Sequence, residues 1–353
     1  MKFVSVLLDT YNHERFIEEA IASVLEQDFA ASEVEILVVD GGSTDRTAEI
    51  VRKFEPRVKL LKKANGGQAS AFNAGIPECQ GEIVAFLDGD DWWNRGKLTA
   101  VVSAFEGAES VGLVGHGITE MFADGTKHEE LLKETERLRL DSAEGARMFR
   151  LRKSFLGTSR MAYRRALLKE IGLVPEILRF EADEFLFTVA GFLSVVEILR
   201  ESYTFYRMHD SNAFQIGDGN TEAIRRKQYI LETLSESLES RLKDLGAPAE
   251  PIKIVTDWIK AEAELLRLEL DNGYPWETIR SEIHHYRVLH AGVSNIRLAL
   301  KCLTLIPGCF LPSKYYFAWR QTFLRSRIYQ SARKKWMPFS EPSHVDRYRT
   351  IGP

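Results

Sequence analysis

The chain has 353 residues, 44% hydrophobic and 28% charged, and 47 Lys and Arg against 51 Asp and Glu leave a formal net charge of −4. That length provides for about two domains and a sizeable core, and the charge balance excludes a general nucleic-acid binder. Three cysteines without CxxC spacing, Cys79, Cys302 and Cys309, exclude a disulfide framework and a zinc site and fit a reducing compartment.

Met1-Lys2-Phe3 runs straight into an apolar stretch, without the charged start, long apolar run and cleavage site of a signal peptide. No apolar run reaches the ~18 residues of a membrane span, and the nearest approach, Cys302 to Pro312, is broken by Pro307 and Gly308. The expectation is a cytoplasmic chain that does not span a membrane.

Four runs read as strands: Phe3–Leu8, Val34–Val39, Val58–Leu61 and Ile83–Leu87. Each is short, apolar and rich in β-branched residues, and polar or glycine residues follow it, as in buried parallel strands. Between the first two, Phe16, Ile17, Ala20, Ile21, Val24 and Leu25 share one helical face, with Asn12 as the expected N-cap. A second helix is predicted from Thr44 to Phe54, with Ala48, Ile50 and Val51 inward and Ser43 or Thr44 as cap, and a short third from Gln68 to Gly75. Strand alternating with helix predicts right-handed crossovers and an α/β fold whose parallel sheet is covered on both faces.

The stretch from about 110 to 215 is mixed. Val111–Val114 and Val195–Tyr206 read as strands, Asp141–Phe149 and Arg165–Ile171 as helices. We expect a first domain of residues 1–216 and a helical C-terminal region of residues 217–353, divided at the loop Gly217–Asn220. Beyond it, Ile230, Leu234, Leu238, Leu242 and Leu245 form one stripe, and Gly246 and Pro248 stop that helix. A further helix is predicted from Ile252 to Asp271, ended by Asn272 and Gly273. From Arg297 to Pro353 there are eleven Lys or Arg and two acidic residues, interleaved with Tyr315, Tyr316, Phe317, Trp319, Phe323, Tyr329 and Trp336. Such a mixture suits an anionic membrane surface, where each basic residue adds about 1 kcal/mol. A solvated basic helix face has the same composition, so both readings stand.

In an open parallel sheet, ligands bind beyond the carboxyl ends of the strands. Three of the four early strands end there in a carboxylate, Asp9, Asp40 and Asp88, and Gly89, Asp90, Asp91, Trp92 and Trp93 follow the last. Three carboxylates within four residues repel one another unless a divalent cation or ligand hydroxyls absorb the charge; plain Asp-Gly turn chemistry is the alternative. Asp9-Thr10-Tyr11-Asn12-His13 after the first strand has no GxGxxG, and Gly41-Gly42-Ser43-Thr44 lacks the lysine of a P-loop. What remains is a nucleotide held by carboxylates and a metal.

Four segments, Ser5–Asn12, Val38–Asp45, Asn65–Gly75 and Phe86–Trp92, resemble glycosyltransferase family 2, an inverting family with a GT-A fold. The resemblance covers about residues 1–215 and implies a Rossmann-like, mostly parallel central sheet. It also implies metal-dependent transfer of a sugar, with inversion, from a nucleoside-diphosphate sugar to an acceptor hydroxyl. Carried over by position, Asp9, Thr10 and Tyr11 line the base pocket, Tyr11 by stacking, and Asp40 accepts a hydrogen bond from a uracil or thymine base. Asp88 and Gly89 lie near the ribose and metal, and Asp90 ligates Mn²⁺ or Mg²⁺, with Asp88 and Asp91 as further candidates. Two positions depart from the family pattern: many members have proline at Asp9, and often arginine at Phe72, whose nucleotide contact Gln68 or Asn73 would then supply.

Arg179–Leu186 is similar to the family's acidic motif under the acceptor, which makes Asp183 the catalytic base; three acidic residues at a helix start would also arise simply from the helix dipole. Tyr206–Asn212 is similar to the late histidine segment, with His209 on the metal or diphosphate and Arg207 neutralising the leaving group. Gly157-Thr158-Ser159 is expected against the donor sugar, and Trp92 and Trp93 either stack on sugar rings or pack in the core. The partners implied are a UDP- or dTDP-type donor and a glycan or lipid-linked acceptor, with peripheral attachment at the inner membrane face, as in cell-surface polysaccharide or glycolipid synthesis. Two other functions stand beside this one: a sugar nucleotidyltransferase, for which the basic glycine-rich loop after the first strand is missing, and a non-catalytic nucleotide-sugar-binding module.

Overall fold

The computed structural model describes residues 3–209 and 221–270, with scattered residues between 276 and 323. The expected division at Gly217, its loop Gly217–Asn220, the helix end at Asn272-Gly273 and most of the basic segment from Arg297 lie outside the described residues. The chain forms two units, Met1–His209 with Ser237–Ile252, and Asp210–Glu236 with Lys253–Pro353.

In the first unit the elements alternate as expected through β1 (Val4–Thr10), α1 (Ile17–Leu25), β2 (Val34–Asp40), α2 (Thr47–Arg52), β3 (Val58–Lys62), α3 (Gln68–Gly75) and β4 (Ile83–Asp88). There follow β5 (Trp92–Trp93), α4 (Lys97–Gly107), β6 (Val111–Met121), β7 (Lys127–Glu130), β8 (Glu136–Leu138), α5 (Ala143–Arg152), β9 (Ala162–Arg164), α6 (Arg165–Ile171), α7 (Ala182–Leu193) and β10 (Val195–Arg207). One sheet takes them in the order β3-β2-β1-β4-β9-β6-β10-β5, with β7 on β6 and β8 on β10. The first four strands are parallel; beyond β4 the sheet is mixed, because β9 runs antiparallel between β4 and β6. Helices cover it on the strength of one buried face each: Ile17, Ala20, Ile21 and Val24 of α1 join Val4, Val6, Leu8, Val38 and Leu87 in the core. Each such aliphatic side chain contributes about 1.5–3 kcal/mol when fully buried.

Sequence and structure differ at the helix starts. Asn12 does not cap α1; it takes a left-handed backbone (φ 58°) and its Oδ1 accepts from Thr44 N, tying the loop after β1 to the loop after β2. Neither Ser43 nor Thr44 caps α2, which begins three residues later, where Asp45 Oδ1 accepts from Thr47 N and Oγ1. Leu25 ends its helix exposed. Cys79 is buried, and burial pushes its thiol up to about 12, so it is chemically inert.

Between residues 221 and 270 the chain forms α8 (Thr221–Asp244) and α9 (Ala249–Leu270). Ile230, Leu234, Leu238 and Leu242 are buried on α8, and Gly246 (φ 70°) ends it as predicted. In the second unit Tyr316 is buried beside Ile279, and Trp319 stacks between Tyr316 and Phe323.

Candidate active site

Strand register gathers the acidic side chains. Asp9 lies opposite Asp88 across β1 and β4, and Thr10 opposite Asp40 across β1 and β2, so three strand ends converge at one rim. The turn Asp88-Gly89-Asp90-Asp91 folds against β1 through Gly89 N to Asp9 O (2.9 Å). Glycine is required there: a Cβ at Gly89 would stand 2.5 Å from Thr10 Oγ1 and 2.7 Å from His13 Nδ1. The antiparallel pairing of β5 with β10 returns residues 207–209 to this turn.

Crowding has an electrostatic consequence. Burial, then the charges of Asp90 and Asp183, push Asp9 up to about 7 against a hydrogen bond with Asp88. Burial and the Asp90 charge push Asp91 up to about 8, and burial with Asp9, Asp90 and Asp91 carries Asp88 well above the carboxylate range. Asp9 Oδ1 and Asp91 Oδ2 are buried without a hydrogen-bond partner. Asp90 behaves oppositely. Burial opposes its ionisation, but the hydrogen bond from His209 and the charges of His13 and His209 outweigh that and hold it below the usual range.

Asp90 Oδ2 lies 3.1 Å from His209 Nε2 and 3.8 Å from His13 Nε2. His209 packs on the Phe16 ring at 4.7 Å. Arg207 donates from N to Asp91 Oδ1 (3.0 Å) and from Nε to Asp90 O (3.0 Å), its guanidinium between the rings of Trp92 (4.4 Å) and Phe16 (4.8 Å) and paired with Glu19. Trp92 itself stacks on Phe205, whereas Trp93 is a core residue whose Nε1 donates to Ser159 O.

Asp183 stands in the first turn of α7, preceded by Glu181 in a left-handed conformation (φ 60°). For a non-glycine residue that conformation costs about 1–3 kcal/mol, and it sets the turn presenting the carboxylate. Asp183 Oδ1 accepts from Glu184 N (2.8 Å), and Oδ2 from Thr158 N and Thr158 Oγ1 (3.2 Å each). Burial raises its pKa against these bonds and the charge of Arg160. The next residue is different: Glu184 is buried and bound by both oxygens to Lys153 Nζ (2.8 and 2.7 Å). The acidic helix start thus divides into a carboxylate facing the cluster and one consumed by a buried ion pair.

Adjacent residues join the two halves of the site, since Thr158 holds Asp183 while Ser159 Oγ accepts from Asp88 N (3.0 Å) and donates to Asp88 Oδ2 (3.3 Å). Three donors converge on Ser159 O: Trp93 Nε1 (3.0 Å), Lys97 Nζ (2.6 Å) and Thr204 Oγ1 (2.6 Å). Lys97 is completely buried beneath the Trp93 ring (3.8 Å), and burial lowers its pKa well below the lysine range.

The sequence-predicted nucleotide residues fall into two groups. Tyr11 is exposed, Thr10 Oγ1 lies 3.2 Å from His13 Nδ1, and Asp40 is buried with Oδ1 on Ser43 N (2.8 Å) and Oδ2 3.9 Å from Lys62 Nζ. Gln68 and Asn73, by contrast, have their amides engaged: Gln68 between Thr158 and Ala182 N, Asn73 on Val174 N and O (2.9 and 2.8 Å). Phe72 is fully buried, edge-on to Phe86. Sequence reasoning missed His13, Lys97, Lys153 and the Thr158 bond to Asp183. Only His13 carried a signal, four residues beyond a strand-end aspartate.

Among the described residues no three His, Cys, Asp or Glu side chains are grouped to hold a metal ion by themselves. A carboxylate and an imidazole 3.1 Å apart, amid carboxylates that repel one another, do fit a divalent cation that takes its remaining oxygens from substrate phosphates and water. The cation-free cluster also has a measurable consequence. From the ordinary carboxylate range up to about 8, the folded chain retains protons on Asp9 and Asp91 that the unfolded chain has released, so stability falls as pH rises. His13, lowered by burial, acts below its ordinary value of 6.5. In EDTA the melting temperature is therefore expected to fall from pH 6.5 to 8. Asp9→Asn removes one of the repelling carboxylates and should raise stability at pH 8 by about 1.4 kcal/mol or more, the free energy of a tenfold change in proton affinity. A variant that melts below wild type there would contradict mutual repulsion.

Comparison with known proteins gives a consistent relationship. The family model described as Glycosyl transferase family 2 matches residues 5–172. An uncharacterized glycosyltransferase of Nostoc sp. is 33% identical over 249 residues, 69% of this chain and 76% of that protein. The poly(ribitol-phosphate) β-N-acetylglucosaminyltransferase TarS of Staphylococcus aureus is 29% identical over 69% of this chain, which spans only 42% of TarS. Among solved structures, TarS residues 1–349 with UDP-GlcNAc superimpose with a TM-score of 0.56 at 21% identity, covering 94% of this chain and 92% of that one. The mannosyltransferase PcManGT of Pyrobaculum calidifontis, solved with GDP-Man and Mn²⁺, gives 0.51 at 20% identity, covering 95% and 87%. Those likenesses establish the shared GT-A fold.

Proposed function

This chain belongs to glycosyl transferase family 2 and is a glycosyl-transfer enzyme, and we propose that it transfers a sugar with inversion, metal-dependently, from a nucleoside-diphosphate sugar to an acceptor hydroxyl. The observation that carries this reading is the spanning of one rim by Thr158 and Ser159, which hold Asp183 and Asp88 side by side. The nucleoside lies over the ends of β1, β2 and β4, with Tyr11 stacked on the base, Asp40 accepting its N–H, and Thr10, Asp9, Asp88 and Gly89 around the ribose. Asp90 and His209 would hold a divalent cation, which when bound neutralises the diphosphate. Arg207 adds a cation on the leaving-group side.

Asp183 is the base. It takes the proton of the acceptor hydroxyl as that oxygen bonds to the anomeric carbon; the bond from that carbon to the β-phosphate oxygen breaks, and its electron pair leaves with the nucleoside diphosphate. Burial raises the proton affinity of the Asp183 carboxylate, against its bonds to Glu184 N and Thr158. A uridine- or thymidine-type donor is favoured by Asp40 and by the UDP-GlcNAc bound in TarS; the GDP-Man of PcManGT is the competing base. We place the acceptor among glycans or lipid-linked saccharides of cell-surface synthesis, at the inner face of a membrane. No helix among the described residues is long and apolar enough to cross one.

The test is nucleoside diphosphate release from UDP-, dTDP- and GDP-sugars with Mn²⁺ and no acceptor. Uridine or thymidine donors should hydrolyse about tenfold faster than GDP-sugars, roughly the effect of one charge-assisted hydrogen bond. Release from GDP-sugars alone would overturn the base assignment, and release from none would overturn the catalytic reading of the rim.

A further inference from the structure

The contact between Thr158 and Asp183 has a direction. Gln68 Oε1 accepts from Ala182 N at 3.0 Å, which fixes the side-chain amide so that Nε2 faces Thr158 Oγ1 at 2.9 Å. An amide nitrogen only donates. Thr158 Oγ1 therefore accepts from Gln68, and its single proton is left for Asp183 Oδ2 at 3.2 Å. Thr158 N reaches the same oxygen at 3.2 Å, and Glu184 N holds the other at 2.8 Å. Gln68 is itself anchored, its N donating to Arg179 O at 3.0 Å, where Gly67 (φ 79°) lets the loop approach so closely that a Cβ would stand 2.6 Å from Arg179 Cα. Thr158 is 3% exposed, so no bulk water replaces its hydroxyl.

We propose that Thr158, oriented by Gln68, is a positioning residue for Asp183: the relay from amide to hydroxyl to carboxylate holds the base in the plane from which it meets the acceptor. The relay rests on Asp183 being the base. It assigns Gln68 to aligning the base rather than to gripping the nucleotide, and it makes the loop that carries Gln68 part of the same device. The hydroxyl's bond to Asp183 lies where bulk water cannot replace it, so its loss should be felt in turnover and not in donor binding.

The experiment measures kcat, donor KM and UDP affinity with Mn²⁺ for T158V, T158S, Q68E, the double variant Q68E/T158V and D183N at pH 8. T158V keeps the shape and loses the proton; kcat should fall by about ten- to a hundredfold with donor KM and UDP affinity unchanged. T158S should restore kcat to within about threefold, the remainder being lost methyl packing. Q68E leaves Thr158 in place but offers it an acceptor, so the hydroxyl turns away from Asp183; kcat should fall as in T158V, and the double variant no further. Wild-type kcat in T158V or Q68E, a T158S as slow as T158V, or a change in donor KM alone would overturn the proposal. D183N separates the two levels: a fully active D183N removes the base, whereas an inactive D183N beside a wild-type T158V removes only the relay.

Discussion

Asp183→Asn is expected to lower kcat by about 10²–10⁴-fold while UDP binding persists. Asparagine is isosteric, so packing at the start of α7 survives, but its amide cannot accept a proton at the pH of the reaction. The neighbouring carboxylates offer no replacement. Glu184 is bound to Lys153 by both oxygens, and burial and neighbouring carboxylates push Asp88 and Asp91 well above their ordinary range, toward the protonated form. Hydrolysis of donor without acceptor should fall less than transfer, because water needs less help than a sugar hydroxyl in reaching a precise trajectory. Parallel titration of UDP and steady-state transfer kinetics check both halves. An Asp183→Asn protein that turns over at the wild-type rate would remove the base.

Asp90→Ala is expected to weaken UDP binding in Mn²⁺ by about a hundredfold, the upper effect of disturbing a residue next to a metal ligand and a minimum for a ligand itself. Without Mn²⁺ the variant and the wild type should bind UDP alike. The cluster is divided. Asp9, Asp88 and Asp91 are driven toward protonation, while Asp90 alone of these four is held below the ordinary range and so stays ionised through the neutral region. It also faces two imidazoles, one of them at 3.1 Å. An ionised carboxylate beside an imidazole is a suitable donor pair for a divalent ion. Isothermal titration with and without the ion reads the difference; equal weakening in both conditions would mean that Asp90 touches the nucleotide directly.

The strand ends were legible because a buried parallel strand writes itself as a short β-branched run, and its last residue is where polarity returns. Asp9, Asp40 and Asp88 follow from that rule alone, and the pairing of Asp9 with Asp88 needed only the strand order. The helix spacing of Ile17 to Val24 was equally plain. Helix starts were not, since Asn12 Oδ1 and Asp45 Oδ2 are bonded across loops more than thirty residues apart, and a cap is read only from what lies next in sequence. Asp183 and His209 were singled out only through family likeness, because an acidic helix start and a lone histidine carry no chemistry by themselves. The contacts of Lys97, Lys153 and Thr158 were not legible: the two lysines carried no signal, and Thr158 was expected against the donor sugar. Their partners, Ser159, Glu184 and Asp183, are 62, 31 and 25 residues away, and a buried polar group is explained only by the tertiary partner that satisfies it. The same holds for Gln68 and Asn73, whose amides serve the backbone of distant segments.

Retention of an activated sugar's diphosphate at the acidic rim through a divalent cation, as proposed above, is read from the melting temperature of the wild-type chain with UDP, titrated in EDTA and again in Mn²⁺. A ligand at a hundred times its dissociation constant adds about 2.7 kcal/mol of stability when it binds only the folded state. A rise with UDP in Mn²⁺ that disappears in EDTA is the expected result; an equal rise in both would contradict the claim.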